Sequence, residues 1–216
     1  YKDVDAVLTT RELARLIRRS GVNFDRLKDE AFDTDLIGEY SGAGVIFGAS
    51  GGVMEAALRT AYHALTGKEA DMLAFTAVRG MEGVKEAEFN LNGKTLKVAV
   101  ASGMKNAKPI LDDIRNGKSK YAFIEIMCCP GGCVNGGGQP IVRSVFMPNE
   151  DLDIEDTYVQ KRAAALYSED EKNTLRQSHN NPQIQELYKD YLGEIGGEKA
   201  HGLLHTHYHA RERYKK

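Results

Sequence analysis

Apolar and polar positions along this chain switch between two periods, and the switches mark out its elements. Residues 4–9 form a short apolar, β-prone run that reads as a buried strand. Thr9-Thr10-Arg11-Glu12 then offers a capping box ahead of Leu13, Leu16 and Ile17, which are spaced for one face of a helix. Residues 23–40 are mixed and acidic, a connection with a helical turn near 24–28. A glycine-dense stretch over 41–52 leads into 53–65, rich in strong helix formers, which predicts a helix closed by Gly67. Residues 72–78 read as a strand, and 84–91 with 94–100 flank Asn92-Gly93, a strong hairpin signal. A helix is predicted over 105–116, ended by Gly117, and 121–127 alternates aromatic and β-branched residues as a last strand. Strands interleaved with helices predict an α/β domain with an at least partly parallel sheet, whose functional groups gather at the carboxyl ends of strands.

After Pro148 the pattern changes. Residues 151–156 read as an acidic linker, and 158–193 as two polar, alanine-bearing helices, the second entered at Asn181-Pro182 with proline at its first position. The chain therefore divides into a domain over 1–150 and a helical appendage over 151–216.

Composition narrows the function. The 216 residues are 42% hydrophobic and 28% charged, enough for a packed core. Lys and Arg number 29 against 31 Asp and Glu, a net charge of −2, so no basic field exists to gather nucleic acid. No apolar run approaches the ~18 residues of a membrane-spanning helix. The opening at Tyr1 without an initiator Met reads as a cut from a longer protein. All 3 cysteines, Cys128, Cys129 and Cys133, cluster in one loop, which is not how a disulfide framework is distributed.

That loop carries the chemistry. Residues 125–140 run from the last predicted strand through the cysteines into Gly136-Gly137-Gly138-Gln139-Pro140. Thiolates are soft ligands for iron–sulfur clusters, zinc or copper(I), and glycines let the backbone approach a bulky inorganic group. Their amides can donate to cluster sulfurs. The plain alternative is buried structural thiols beside a loop, since free cysteine is often buried. Zinc is the weaker metal here, because a second C-x-x-C pair is lacking.

The segment resembles the third cluster motif of [FeFe]-hydrogenases, E-x-M-x-C-x-x-x-C-x-x-G-G-G-Q-P, met by Glu125, Met127, Cys129, Cys133, Gly136, Gly137, Gly138, Gln139 and Pro140. Upstream, residues 3–13 and 46–57 resemble the family's segment after its second motif and its glycine loop with the following helix. Downstream, 178–182 and 201–208 resemble the C-terminal helical region, a separate small subunit in some members. The resemblance implies one lobe of a two-lobed catalytic domain, with a mostly parallel sheet flanked by helices and a C-terminal α-helical extension. It implies interconversion of dihydrogen with protons and electrons at a [4Fe–4S] cubane joined to a di-iron unit. By position, Cys133 would be the bridging thiolate and Cys129 a terminal cubane ligand. Gly136, Gly137 and Gln139 would cradle the group, and Met127 and Phe47 would line the di-iron pocket. Cys128 replaces the family's commoner Ala or Gly and is expected to pack as a small hydrophobe. The family's other two cysteine motifs are absent from these residues, so the 216 residues alone are expected to hold no complete cluster and to be inactive. The implied partners are the N-terminal lobe of the same domain, a ferredoxin or other electron carrier, and maturation proteins. The implied location is the cytoplasm, with the periplasm as the alternative.

Three other readings compete. Gly48 to Gly52 ahead of a helix is a weak phosphate-binding signal without the P-loop lysine. His201, His205, His207 and His209 are a candidate metal tract or, more simply, a polar tail docking on the lobe with one or two packed histidines. Hydrogenase-like iron–sulfur assembly proteins share a similar Cys-Gly loop without a di-iron unit, which would make the chain a scaffold.

Overall fold

The computed structural model describes residues 4–31, 39–70, 75–80, 83–91, 93–141, 152–207 and 209, with backbone alone at 91 and 152–157. Its sheet begins with the hairpin. β1 (Val84–Leu91) pairs antiparallel with β2 (Lys94–Ser102), and Gly93 takes the positive φ of 80° that the tight turn demands. β3 (Phe123–Met127) lies parallel to β2, which makes the sheet mixed, in the order β1-β2-β3. The parallel pair requires a crossover, supplied by the helix Met104–Arg115.

Strand periodicity divides the core of this sheet in two. Val98 and Val100 of β2 face Met54, Leu58, Phe75 and Val78. Ala99 and Ala101 face the other way, against Ala107 and Ile110 of the crossover helix. Helices thus cover both faces, the α/β arrangement expected. In chain order the helices are α1 (Thr10–Arg19), α2 (Gly42–Val45), α3 (Gly52–Thr66), α4 (the crossover helix), α5 (Leu152–Lys172), α6 (Pro182–Leu187) and α7 (Glu198–Leu204).

Several local readings hold for visible reasons. The capping box at α1 is complete: Glu12 N–H donates to Thr9 Oγ1, and the Glu12 carboxylate accepts from Thr9 N–H at 2.9 Å. α3 ends at Gly67, in the left-handed conformation. Pro182 opens α6, whose first amides are capped by Asn181 Oδ1.

Three readings need correction. Residues 4–9 form no strand among the described residues, with Val4 71% and Val7 84% exposed; a β-prone run becomes a strand only when another strand borders it. Thr76–Val78 is a 3₁₀ turn instead of the end of a strand, and 71–74 lie outside the described residues. The acidic linker is the start of α5 from residue 152 on, and residue 151 lies outside the described residues. The turn expected near 24–28 is a 3₁₀ helix, Phe24–Arg26. The appendage also holds one more helix, α7, than its polar pattern announced.

A buried ionic knot ties α5 to α3. Arg59 is fully buried and donates to Asp170 through both terminal nitrogens at 2.9 Å, to Glu55 at 2.7 Å, and to the Arg176 carbonyl at 3.0 Å. Arg79 reaches Glu55 with two bonds of 2.7 Å and lies 4.2 Å over the Tyr167 ring, while Arg176 reaches Asp170 at 2.6 Å. Burial works against the charge on Asp170, but the hydrogen bonds from Arg59 and Arg176 outweigh it and hold its carboxyl below the usual range. Burial pushes the Tyr167 hydroxyl far up, so it stays protonated.

Candidate metal-cluster site

The cysteine loop grows from the carboxyl end of β3, beside the end of β2. Gly103 N–H donates to the Met127 carbonyl at 2.7 Å, and Gly131 N–H donates to Ser102 Oγ at 2.7 Å, so two neighbouring strand ends hold the loop's root. The glycine loop of residues 48–52 presses on it from the side, with Ser50 N–H donating to the Gly131 carbonyl at 3.0 Å. The approach is close enough that a Cβ on Gly132, at φ 100°, would meet Gly48 O and Ser50 N at 2.7 Å.

Glu125 fixes this junction from behind. Its carboxylate is buried and accepts from Gly51 N–H at 2.6 Å and Met54 N–H at 2.7 Å, occupying the free amides at the start of α3. An internal carboxylate therefore fills the place a phosphate would need, and the nucleotide reading of Gly48 to Gly52 falls. The sequence placed Glu125 in a motif without showing its task, because its partners lie 71 and 74 positions away.

The thiols sit on the outer side of this root. Gly132 N–H donates to the Cys129 carbonyl and Gly136 N–H to the Cys133 carbonyl, each at 3.0 Å, winding the loop into consecutive turns. All three cysteines are unpaired; Cys133 is exposed and Cys129 half-buried. A Cβ on Gly136 would lie 2.5 Å from Cys129 Sγ, so that glycine keeps the space beside the sulfur open. Cys128 does not pack as a small hydrophobe: it is exposed, its thiol 3.6 Å from Met104 Sδ. Phe47 is 45% exposed and Met127 half-buried.

The glycine run then docks on α1. The Gly137 carbonyl accepts from Thr10 N–H at 3.0 Å, and Gln139 Nε2 reaches Thr10 Oγ1 at 3.5 Å. Arg162 of α5 donates to the carbonyls of Val134 (3.1 Å) and Pro140 (2.7 Å), a contribution from the appendage that no local pattern announced. Exposed apolar side chains occur in every segment reaching the loop: Val7 and Leu8 before α1, Phe47 in the glycine loop, Ile141 after Pro140. The tail histidines are not packed on the lobe: His201, His205, His207 and His209 are all exposed, and the rings of His201 and His205 stack at 4.3 Å.

Two accessible soft donors on a backbone-rich loop, with room kept beside one sulfur, fit an iron–sulfur group on the donor chemistry. Two thiolates are half the set a cubane takes.

Comparison with known proteins agrees. Residues 1–137 match the family described as iron only hydrogenase large subunit, C-terminal domain, and residues 156–211 match iron hydrogenase small subunit. The NADP-reducing hydrogenase subunit HndD of Solidesulfovibrio fructosivorans is 47% identical over 98% of this chain and 34% of its own length. The structure of a variant of [FeFe]-hydrogenase HydA1 from Chlamydomonas reinhardtii is 44% identical with a TM-score of 0.68, over 95% of this chain and 55% of that one. Protein NAR1 of Arabidopsis thaliana is similar at 34% identity over 96% of this chain and 42% of its own length. The chain spans about a third of the length of the curated hydrogenases it matches. With a cluster motif complete in its fixed positions, an open thiol loop and two matches that together span most of its residues, this chain belongs to the iron-only, or [FeFe], hydrogenase family.

Proposed function

We propose that this chain forms one wall of the catalytic cleft of an enzyme that interconverts dihydrogen with protons and electrons. Cys133, as the bridging thiolate, and Cys129, as a terminal ligand, would hold the cluster, which would supply the redox chemistry when bound. The chain's own residues hold and shield that group. Gly136 leaves Cys129 Sγ free to ligate, while Gly137 and Gln139 anchor the loop to α1. Phe47 and Met127 present apolar surface that keeps water from a small ligand. Glu125 and Ser102 fix the loop's root, so the two sulfurs keep their places as charge changes.

The observation that carries this reading is the pair of accessible thiols on a loop braced from behind by a buried carboxylate. The exposed apolar side chains around it favour a second lobe of the same domain as the covering partner. A ferredoxin-type carrier and maturation proteins complete the expected partners. The division at residue 150 is part of this proposal; the family matches cover 1–137 and 156–211. Among the described residues no helix is long and apolar enough to cross a membrane, and a cytoplasmic location is proposed, with a periplasmic one as the alternative.

The test uses the complete protein carrying this segment, matured with its accessory proteins. Infrared bands of iron-bound CO and cyanide, together with hydrogen turnover, are expected, and Cys133→Ser is expected to remove both. A protein that takes up iron and sulfide yet shows neither signal belongs with the assembly scaffolds, the reading to which the similarity with NAR1 points.

A further inference from the structure

Away from the cysteine loop, one other cluster has the composition of a metal site. Among the described residues, His63, Glu69 and His179 form a group of three ligating side chains whose donor atoms lie within 4.8 Å of one another. We infer that these three side chains bind a divalent transition metal of the zinc class, clipping the helical appendage to α3.

The chain brings them together from distant positions. His63 lies in the last turn of α3, and the reversal at Gly67 carries Glu69 back beside it. His179 sits in the 3₁₀ turn Ser178–Asn180, between α5 and α6. Both imidazoles address the same carboxylate oxygen: His63 Nδ1 is 3.0 Å and His179 Nε2 is 3.2 Å from Glu69 Oε1. Neighbouring donors around tetrahedral zinc, with bonds of about 2.0–2.2 Å, stand about 3.3 Å apart, close to these separations.

Supporting contacts aim the donors. Thr60 Oγ1 lies 3.2 Å from His179 Nδ1, engaging the nitrogen that faces away from the cluster. Gln185 Nε2 donates to the His179 carbonyl at 2.8 Å, and Asn180 Nδ2 to Glu69 Oε1 at 3.2 Å. Burial alone would raise the Glu69 carboxyl, but the His179 and Asn180 hydrogen bonds outweigh it and keep it ionised. His63 Nδ1 is shielded from water and close to the carboxylate, yet it is not aligned for a hydrogen bond, so its bonding capacity is unspent. The His63 and His179 rings now stack at 4.3 Å, 23° from parallel. Ligation therefore requires the His63 ring to turn, and its side chain is 41% exposed. Two imidazoles and a carboxylate leave a fourth position for water. His63 and Glu69 fall in the large-subunit match and His179 in the small-subunit match, so bound metal would couple the two parts.

This inference does not depend on the hydrogenase reading and is tested separately from it. The 216-residue chain with Cys128, Cys129 and Cys133 replaced by serine, stripped by chelator, is titrated with Co²⁺ and then Zn²⁺. The expected result is one equivalent of cobalt with visible d–d bands, displaced by zinc, paramagnetic broadening of the His63 and His179 ring signals, and a zinc-dependent rise in melting temperature. Glu69→Gln and His63→Ala should each weaken binding by about tenfold or more, with circular dichroism unchanged. The same titration on the unsubstituted chain separates the sites, because thiolate-to-cobalt charge transfer reports cysteine binding alone. No stoichiometric uptake overturns the inference. So does binding that survives Glu69→Gln and His63→Ala but is lost in His205→Ala, which would place it on the stacked His201–His205 pair.

Discussion

Glu125 and Gly136 show two ways in which one residue governs the loop. Glu125 accepts two buried amides with one carboxylate. Glutamine would keep one acceptor and turn an N–H₂ toward the other donor, so Glu125→Gln should lower stability by about 2–3 kcal/mol in urea unfolding, the scale of a lost charge-assisted bond. A variant as stable as the parent would show that α3 starts without it. Gly136 acts through space instead of backbone freedom. At φ −134° its backbone is extended and open to any residue, but an added methyl would collide with Cys129 Sγ. Gly136→Ala should therefore leave the fold and melting temperature of the chain intact while cluster loading of the complete, matured protein falls by about tenfold. Iron content equal to the parent's would place the sulfur's working position elsewhere. The candidate residues were legible in the motif because fixed residue types at fixed spacing nominate candidate ligands. The tasks of Glu125, Ser102 and Arg162 were not, because each is set by a partner far away in sequence.

At the level of elements, the same division between local and distant causes decides what could be read. α1, α3, α6 and the hairpin are announced by caps, a terminating glycine, a first-turn proline and Asn-Gly, all acting within a few residues. The run at 4–9 fails as a strand because pairing is a distant cause. The docking of α5 on α3 is also distant: Arg59 and Asp170 stand 111 positions apart, and no periodicity connects them. Removing one member of a buried ionic group leaves the other charge uncompensated, so Asp170→Ala should cost about 3–5 kcal/mol in denaturant unfolding. The pH dependence follows from the lowered carboxyl of Asp170. Its stabilisation is fully present above the unfolded value of about 3.9 and disappears as pH falls through the lower folded value. Melting temperature should gain nothing from Asp170 between pH 5 and 7 and should drop below about pH 4. Asp170→Asn should flatten that acid limb; an unchanged limb would assign it to other carboxylates.

At the scale of the molecule, the proposed reading makes the count of thiols the limit on what these residues would hold by themselves. A cubane held by protein takes four thiolates, and these 216 residues contain 3 cysteines, of which Cys128 is turned toward Met104 and away from the pattern of the motif. The loop is built and braced, with Cys133 exposed and Phe47, Val7, Leu8 and Ile141 uncovered nearby, and on the proposed reading its two thiols would be half a ligand set. Anaerobic reconstitution of the chain with iron and sulfide should consequently give far less than one cubane per monomer and no hydrogen turnover. Supplying the segment that carries the remaining cysteines, as one polypeptide, should restore stoichiometric iron. The decisive measurement is iron and acid-labile sulfide per chain after gel filtration, with mass determined on the same peak. A monomer carrying a full [4Fe–4S] cluster would mean that Cys128 or a non-cysteine ligand completes the set, and that the opposite lobe is dispensable for holding iron.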